Sequence, residues 1–242
     1  METNQNTKPG MYFLDEALIE DLGRTDYESY LRLQEEAKKE VRQGGRGRVF
    51  LVEHPPTITL GYSLKGDEGR SWIKNGFEGL ESRGLRVVQV DRGGKATYHG
   101  PGQLVCYLVL DLKRLKLSVK RYMGKLQEAV LCALRELDLP AELDPSYPGV
   151  WVGGAKIAAV GVRVEDRITS HGLAVNLDPD LSAFEYIVPC GIPHKPVTSV
   201  ARHRAAPSRG EMALLLYRSL QEALKIKLVP AGSNEDGVTR EK

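Results

Sequence analysis

Two side chains in this sequence combine reactive chemistry with a setting that would use it. Cys190 stands in Pro189-Cys190-Gly191, inside the stretch Ile187-Val188-Pro189-Cys190-Gly191-Ile192-Pro193. A thiol between a proline and a glycine sits on bent backbone, poor context for a core residue and good context for an exposed nucleophile. Cys106 and Cys132 lie on apolar strand and helix faces instead, and read as small buried hydrophobes. A cysteine nucleophile reacts as the thiolate and needs a base or a cation beside it. Lys156, in Gly153-Gly154-Ala155-Lys156-Ile157-Ala158-Ala159-Val160-Gly161, is the amine best placed to serve. A lysine entering such an apolar run either snorkels to solvent or is used, and partial burial favours an amine that can accept a proton.

His99 and His171 form a second pair. His171 lies in Ser170-His171-Gly172-Leu173-Ala174-Val175-Asn176, where the glycine opens room for a ligand beside a strand. A lone strand histidine is more often structural, and His54, His194 and His203 have no context that lifts them above that reading. His99 belongs to the most distinctive loop of the chain, residues 92–103, in which five of twelve residues are Gly or Pro. That density predicts shaped loop rather than helix or strand interior. The loop carries Arg92, Thr97, His99 and Gln103 between two apolar runs, which is how a binding loop is mounted on a sheet.

Other candidates read more plainly. Gly45-Arg46-Gly47-Arg48 superficially suggests a phosphate loop, but its place between a helix end and a strand start favours a helix C-cap with solvated charges. Lys113, Arg114, Lys116, Lys120, Arg121 and Lys125 read as a solvated helix face that could also meet an acidic partner. Arg202 and Arg204 form a second small basic group. There is no serine-centred elbow, acidic metal cluster or P-loop.

The elements that must position these residues follow from capping signals and periodicity. Thr25-x-x-Glu28 predicts a helix start, with Tyr30, Leu33, Ala37 and Val41 on the buried face and Gly44-Gly45 as the stop. Residues 49–53 and 57–60 read as strands broken at Pro55-Pro56, and 86–91 and 104–112 as two more. Ser118 caps a long helix with Val119, Tyr122, Leu126, Val130, Ala133 and Leu137 on one face. Residues 150–152, 157–164 and 168–176 read as a meander with a tight turn at Glu165-Asp166. Ser208-x-x-Glu211 opens a last helix to about Lys225. The mixed order, without a βαβ rhythm, predicts an α+β fold: a mixed, largely antiparallel sheet packed with helices. A single domain over residues 11–230 is expected, between flexible arms at 1–10 and 231–242.

With 242 residues, a net charge of +2 and three scattered cysteines, the chain reads as one large globular domain, or one domain with a small appendage. The charge balance argues against nucleic acid. An odd set of distant cysteines argues against a zinc site or disulfide framework and for a reducing compartment. The first ten residues carry no signal core and the longest apolar run, 104–110, cannot span a bilayer, so a cytoplasmic protein without membrane contact is expected.

Taken together, these segments closely resemble the lipoyl(octanoyl) transferase family, within the biotin and lipoate protein ligase superfamily. The resemblance runs from about Val49 to Val200. It rests on Val52-Glu53-His54-Pro55-Pro56, loop 92–103, Gly149-Val150-Trp151-Val152, residues 156–164, residues 171–176 and Pro189-Cys190-Gly191, in this order. It implies a ligase-like α+β catalytic domain that transfers an octanoyl group from acyl carrier protein to a lysine of a lipoyl domain. The acceptors it implies are the lipoyl domains of 2-oxoacid dehydrogenases and glycine cleavage H protein, and it implies no cofactor. Cys190 and Lys156 match the family's catalytic dyad. Arg92, Gly93, Gly94, Lys95, Ala96, Thr97, Tyr98 and His99, with Ala159, Val160, Gly161, Gly172, Leu173 and Ala174, match its acyl site, and His171 is a possible supporting residue.

Two other readings remain open on the sequence. An ATP-dependent lipoate or biotin ligase on the same fold would use a lysine and a nucleotide loop but give Pro189-Cys190-Gly191 no task. A non-catalytic module that binds acyl groups or their carrier would leave both Cys190 and Lys156 unexplained.

Overall fold

The structure is a computed structural model, and it describes residues 12–64, 72–73, 78–187 and 195–232. Its strands are β1 (Asp15–Arg24), β2 (Gly47–Glu53), β3 (Thr57–Leu60), β4 (Arg86–Gln89), β5 (Ala96–His99), β6 (Gln103–Val109), β7 (Ala141–Leu143), β8 (Val150–Val152), β9 (Ala155–Glu165), β10 (Ile168–Asn176) and β11 (Ile226–Pro230). Its helices are α1 (Tyr27–Arg42), the single turn α2 (Glu78–Glu81), α3 (Val119–Arg135) and α4 (Arg209–Leu224).

Strand β6 shows why the sheet sits at the centre. Leu104, Cys106 and Leu108 belong to one core cluster and Val105, Tyr107 and Val109 to another, so both faces of the strand are covered. It is the fourth strand of an eight-stranded sheet ordered β11-β1-β2-β6-β10-β9-β8-β7. The β11–β1 and β1–β2 pairs are parallel; the pairings from β2 through β7 are antiparallel. Helices α3 and α4 cover one face with Tyr122, Leu126, Val130, Met212 and Leu216. Helix α1 covers the other through Tyr27, Tyr30, Ala37 and Val41. A three-stranded sheet, β4-β3-β5, packs with Phe184 and Ile187 into a smaller third core.

The mixed, largely antiparallel α+β architecture agrees with the sequence expectation. Ser118 and Ser208 cap α3 and α4 as predicted, and Ser208 with Glu211 closes a complete capping box. Other details differ. The cap of α1 is Asp26, whose Oδ1 accepts from the Ser29 N–H at 2.9 Å, while the Thr25 hydroxyl turns back to Leu22 O. Loop 92–103 contains strand β5, because the glycines flank residues 96–99 rather than interrupt them. The β9–β10 turn is one residue later than expected, with Asp166 and Arg167 both left-handed at φ 50° and 71°. Strand 86–91 ends at Gln89, and Cys132 is exposed, not buried. Strands β1, β7 and β11 had no predicted counterpart.

Candidate active site

Antiparallel pairing of β9 with β10 sets Ala159 opposite Ala174 and Gly161 opposite Gly172. These small residues leave a trough on the sheet, and the chain around Arg92–Gly94, α1 and α3 wall it in. The result is a cavity of about 340 Å³, lined mostly by apolar atoms. Gly172 has to be glycine: a Cβ built there would stand 2.1 Å from the Cys106 carbonyl oxygen on β6.

One part of the cavity wall is a hydrogen-bonded set of neutral rings. His54 is fully buried; Thr25 O lies 2.7 Å from Nδ1, so that nitrogen carries the proton, and Nε2 accepts from the Tyr107 hydroxyl at 2.9 Å. His99 donates from Nδ1 to Gln103 Oε1 at 2.7 Å. Burial pushes His54 down to about 4 and His99 to about 3, and His54 further disfavours charge on His99. Gln103 then donates to Asn176 Oδ1 at 2.8 Å, and Asn176 to Thr198 O at 2.9 Å.

His171 is held at two points, its backbone N–H and its ring Nε2. Its backbone is left-handed at φ 59°, an uncommon state for a residue with a Cβ. Gln34 Oε1, buried on α1, accepts its backbone N–H at 2.7 Å, and Asp91 Oδ1 accepts from ring Nε2 at 2.6 Å. Burial lowers the imidazole's affinity for a proton, with Asp91 opposing, while the hydrogen bond from His171 holds Asp91 below the usual carboxylate range. The pair is therefore a neutral imidazole donating to a carboxylate.

Lys156, at the start of β9, contrasts with this wall. It is 6% exposed and lines the cavity. Among the described residues its amine has no carboxylate partner; it lies over the Trp151 indole, 4.8 Å from Nζ to the ring centroid. A buried lysine without an anion is unusual for a structural residue. Its backbone is firmly placed, donating to Pro196 O and accepting from Thr198 N–H, both at 2.9 Å. Gly149 is required beside it, since a Cβ there would lie 2.7 Å from Ala158 O.

Cys190 lies outside the described residues, as does the whole of 188–194. The chain that follows is anchored at Lys156, and the chain that precedes is anchored at Ile73. Ile187 bridges Ile73, Val197 pairs with Lys156, and Lys195 Nζ meets Asp144 Oδ2 at 2.6 Å while facing the Tyr147 and Trp151 rings.

Of the remaining residues singled out from the sequence, Arg92, Gly93, Gly94, Thr97, His99, Ala159, Val160, Gly161, His171, Gly172, Leu173 and Ala174 line the cavity. Lys95, Ala96 and Tyr98 do not. Strand alternation in β5 turns Thr97 and His99 inward and Ala96 and Tyr98 into the third core, and Lys95 Nζ sits 3.8 Å over the Trp72 ring. Arg92 is a latch as much as a lining residue: Nη2 donates to Thr59 O and Oγ1 at 2.9 and 2.8 Å. The Gly45–Arg48 charges are paired rather than freely solvated, Arg46 with Glu16 and Arg48 with Glu20 and Glu40. Sequence reasoning missed Tyr27, Tyr107, Val119, Met123, Tyr147 and Pro148 of the lining, and dismissed His54, which buttresses it.

Comparison with known proteins decides the family. The lipoyl protein ligase A/B catalytic domain matches residues 26–219. The chain belongs to this family. It is 39% identical over 216 residues to an octanoyltransferase of Solibacter usitatus, covering 89% of this chain and 96% of that one. It is 41% identical over 207 residues to an octanoyltransferase of Methylococcus capsulatus, covering 86% and 95%. In three dimensions it resembles the bi-partite lipoate protein ligase of Thermoplasma acidophilum, with a TM-score of 0.70, 19% identity and 89% and 86% coverage. That likeness establishes the lipoate/biotin ligase fold. Within the lipoyl ligase A/B family, this chain is an enzyme of the acyltransferase kind. Among the described residues, no helix is long and apolar enough to cross a membrane.

Proposed function

We propose that this enzyme takes an octanoyl group from acyl carrier protein onto Cys190 as a thioester and passes it to a lysine of a lipoyl domain. The observation that carries the reading is a largely apolar cavity with a buried lysine at its wall that has no anion partner among the described residues. The octanoyl specificity follows the names of the relatives. A fatty chain would lie along Ala159, Gly161, Gly172 and Ala174, with its carbonyl toward Lys156. The acceptors are the lipoyl domains of 2-oxoacid dehydrogenases and glycine cleavage H protein, in the first step of endogenous protein lipoylation. The cytoplasm suits an enzyme that works through a free thiol.

The two half-reactions balance without ATP. Lys156 takes the Cys190 Sγ proton; the thiolate attacks the thioester carbonyl, and the carrier's sulfur leaves and recovers that proton from Lys156. One thioester is exchanged for another. The acceptor amine then attacks the Cys190 thioester, its proton passes to Lys156, and Sγ leaves. Amide formation drives this second step. Cys106 offers no alternative nucleophile, since burial pushes its thiol up to about 12.

Intact mass spectrometry after incubation with octanoyl carrier thioester, without ATP, tests the reading. A covalent octanoyl adduct on the wild type, lost in Cys190→Ser and retained in Cys132→Ser, is expected. A requirement for ATP and free octanoate would give the function to ligase chemistry instead.

A further inference from the structure

The basic run at the start of α3 is more than a solvated face. Residues 112–127 contain six Lys or Arg and no Asp or Glu. Arg114 is taken up by Asp15 and Gly45 O, and Lys125 by Glu128. The side chains of Lys113, Lys116, Lys120 and Arg121 are all exposed, and no described residue pairs with them. They lie in the chain just before α3 and on its first turn, next in sequence to residues that open onto the cavity: Val119 and Met123 line it, as do Tyr147 and Pro148. Val119 is 43% exposed and Tyr147 37%, so the rim offers apolar contact within a field of one sign. The α3 N-terminus, capped by Ser118, adds its partial positive charge to the same place.

Arg202 and Arg204, the other basic group noted in the sequence, have no such position. Arg204 is bound to Leu137 O and lies 3.7 Å from Asp138, and neither arginine adjoins a cavity-lining residue in the chain, as Lys120 adjoins Val119. A partner that delivers a hydrophobic group past the exposed Val119 comes within reach of this positively charged segment.

We propose that the rim formed by Lys113, Lys116, Lys120 and Arg121 around Val119 and Tyr147 is the docking surface for the acidic acyl carrier protein. This rests on the acyl-transfer reading above and adds to it where the donor lands. Opposite charge steers the carrier to the rim, and the exposed apolar pair seats it while its thioester arm enters. Exposed charges act weakly one at a time, so the surface works as a set and weakens with salt.

The test compares two donors, octanoyl acyl carrier protein and a small octanoyl thioester without protein. Lys116→Glu with Lys120→Glu should lower kcat/KM for the carrier donor about tenfold, mainly through KM, and leave the small thioester within about twofold. Arg202→Glu with Arg218→Glu, at two exposed residues that do not line the cavity, makes the same change in net charge and should leave both donors near wild type. Raising salt should reproduce the rim variant's effect on the wild type, again for the carrier donor only. Equal losses in the two double variants, or parallel salt responses of the two donors, would overturn the surface. Because transfer from the small thioester reports the chemistry by itself, a wild type inactive with both donors would overturn the acyl-transfer reading, and the surface with it.

Discussion

The histidine-rich wall of the cavity and the Lys156 corner are built on opposite terms. Along the wall, His54, His99 and His171 each have a committed hydrogen-bond partner, and burial keeps them uncharged. At the corner, a buried amine rests on an indole with no carboxylate among the described residues. Paired neutral groups fix shape but are poorly placed to exchange protons. An amine on a rigid backbone with no carboxylate beside it among the described residues carries no such commitment. On the proposed function the wall supplies architecture and the corner chemistry, and the two are joined through Gln103, Asn176 and Thr198 to the Lys156 backbone.

The contrast breaks most sharply at Lys156. Lys156→Arg keeps a cation over Trp151 but cannot deprotonate in the working pH range. Acyl transfer should fall about 10²–10⁴-fold, the usual weight of general acid–base catalysis, with the thermal midpoint close to wild type. A variant with near-normal turnover would move the chemistry elsewhere. On the wall the effect should reverse, falling on the fold. Gly172→Ala drives a Cβ to 2.1 Å from the Cys106 carbonyl oxygen, against backbone that has no room to yield. A loss of about 3 kcal/mol or more in denaturant unfolding is expected, with β6–β10 pairing disrupted. Normal stability in Gly172→Ala would mean the wall is less rigid than its contacts imply.

The two regions also differed in how far the sequence disclosed them. Lys156 announced itself through local context, a lysine after two glycines at the head of an apolar run. The caps at Ser118 and Ser208 were equally local, since each depends on residues three apart. The histidine wall was legible only in part: His99 and His171 stood out by their loop and strand contexts, but the partners that hold them did not, because the members meet only through packing. Tyr27 and Gln34 come from α1, His54 from the end of β2, Asp91 from a loop and His171 from β10, and no spacing rule joins them. Strands β1 and β11 were hidden for a related reason. They pair in parallel across some two hundred residues of chain, and β1 carries four acidic residues, which blur any alternation. In loop 92–103, glycine density masked β5, whose four residues show their two faces only once β3 lies beside them.

Acid should separate the regions through stability. In the unfolded chain each imidazole takes up its proton near pH 6.5, whereas in the folded protein His54 waits until about 4 and His99 until about 3. Between those limits the unfolded state binds more protons, so stability falls as pH drops below about 6.5 and this contribution is constant above it. The loss by pH 4 should be of the order of a few kcal/mol, read as a falling denaturation midpoint from pH 7 to pH 4. His54→Gln should flatten that slope even if it lowers the midpoint at pH 7. An unchanged slope would mean that the buried wall does not govern acid sensitivity.

The finest test asks whether the wall measures the acyl chain. Each methylene moved from water to an apolar site contributes about 0.8 kcal/mol, so an octanoyl donor should exceed a hexanoyl one by about 1.6 kcal/mol, roughly fifteenfold in kcat/KM. The tail would end against Gly93 and Gly161, where the walls come close: a Cβ at Gly161 would lie 3.2 Å from Gly93 O and 3.5 Å from Arg92 Cδ. That spacing is tight but not forbidding, unlike the one at Gly172. Gly161→Ala should therefore fold, keep Lys156 chemistry intact, and narrow the preference by penalising octanoyl more than hexanoyl. Small thioester donors of both lengths, assayed on wild type and variant, give the comparison without carrier docking entering it. If octanoyl and hexanoyl donors are used equally by the wild type, the chain does not lie in this cavity. If they differ as expected but Gly161→Ala changes both alike, the chain lies there and its tail ends short of Gly161, which places the measuring point nearer Ala159 and Ala174.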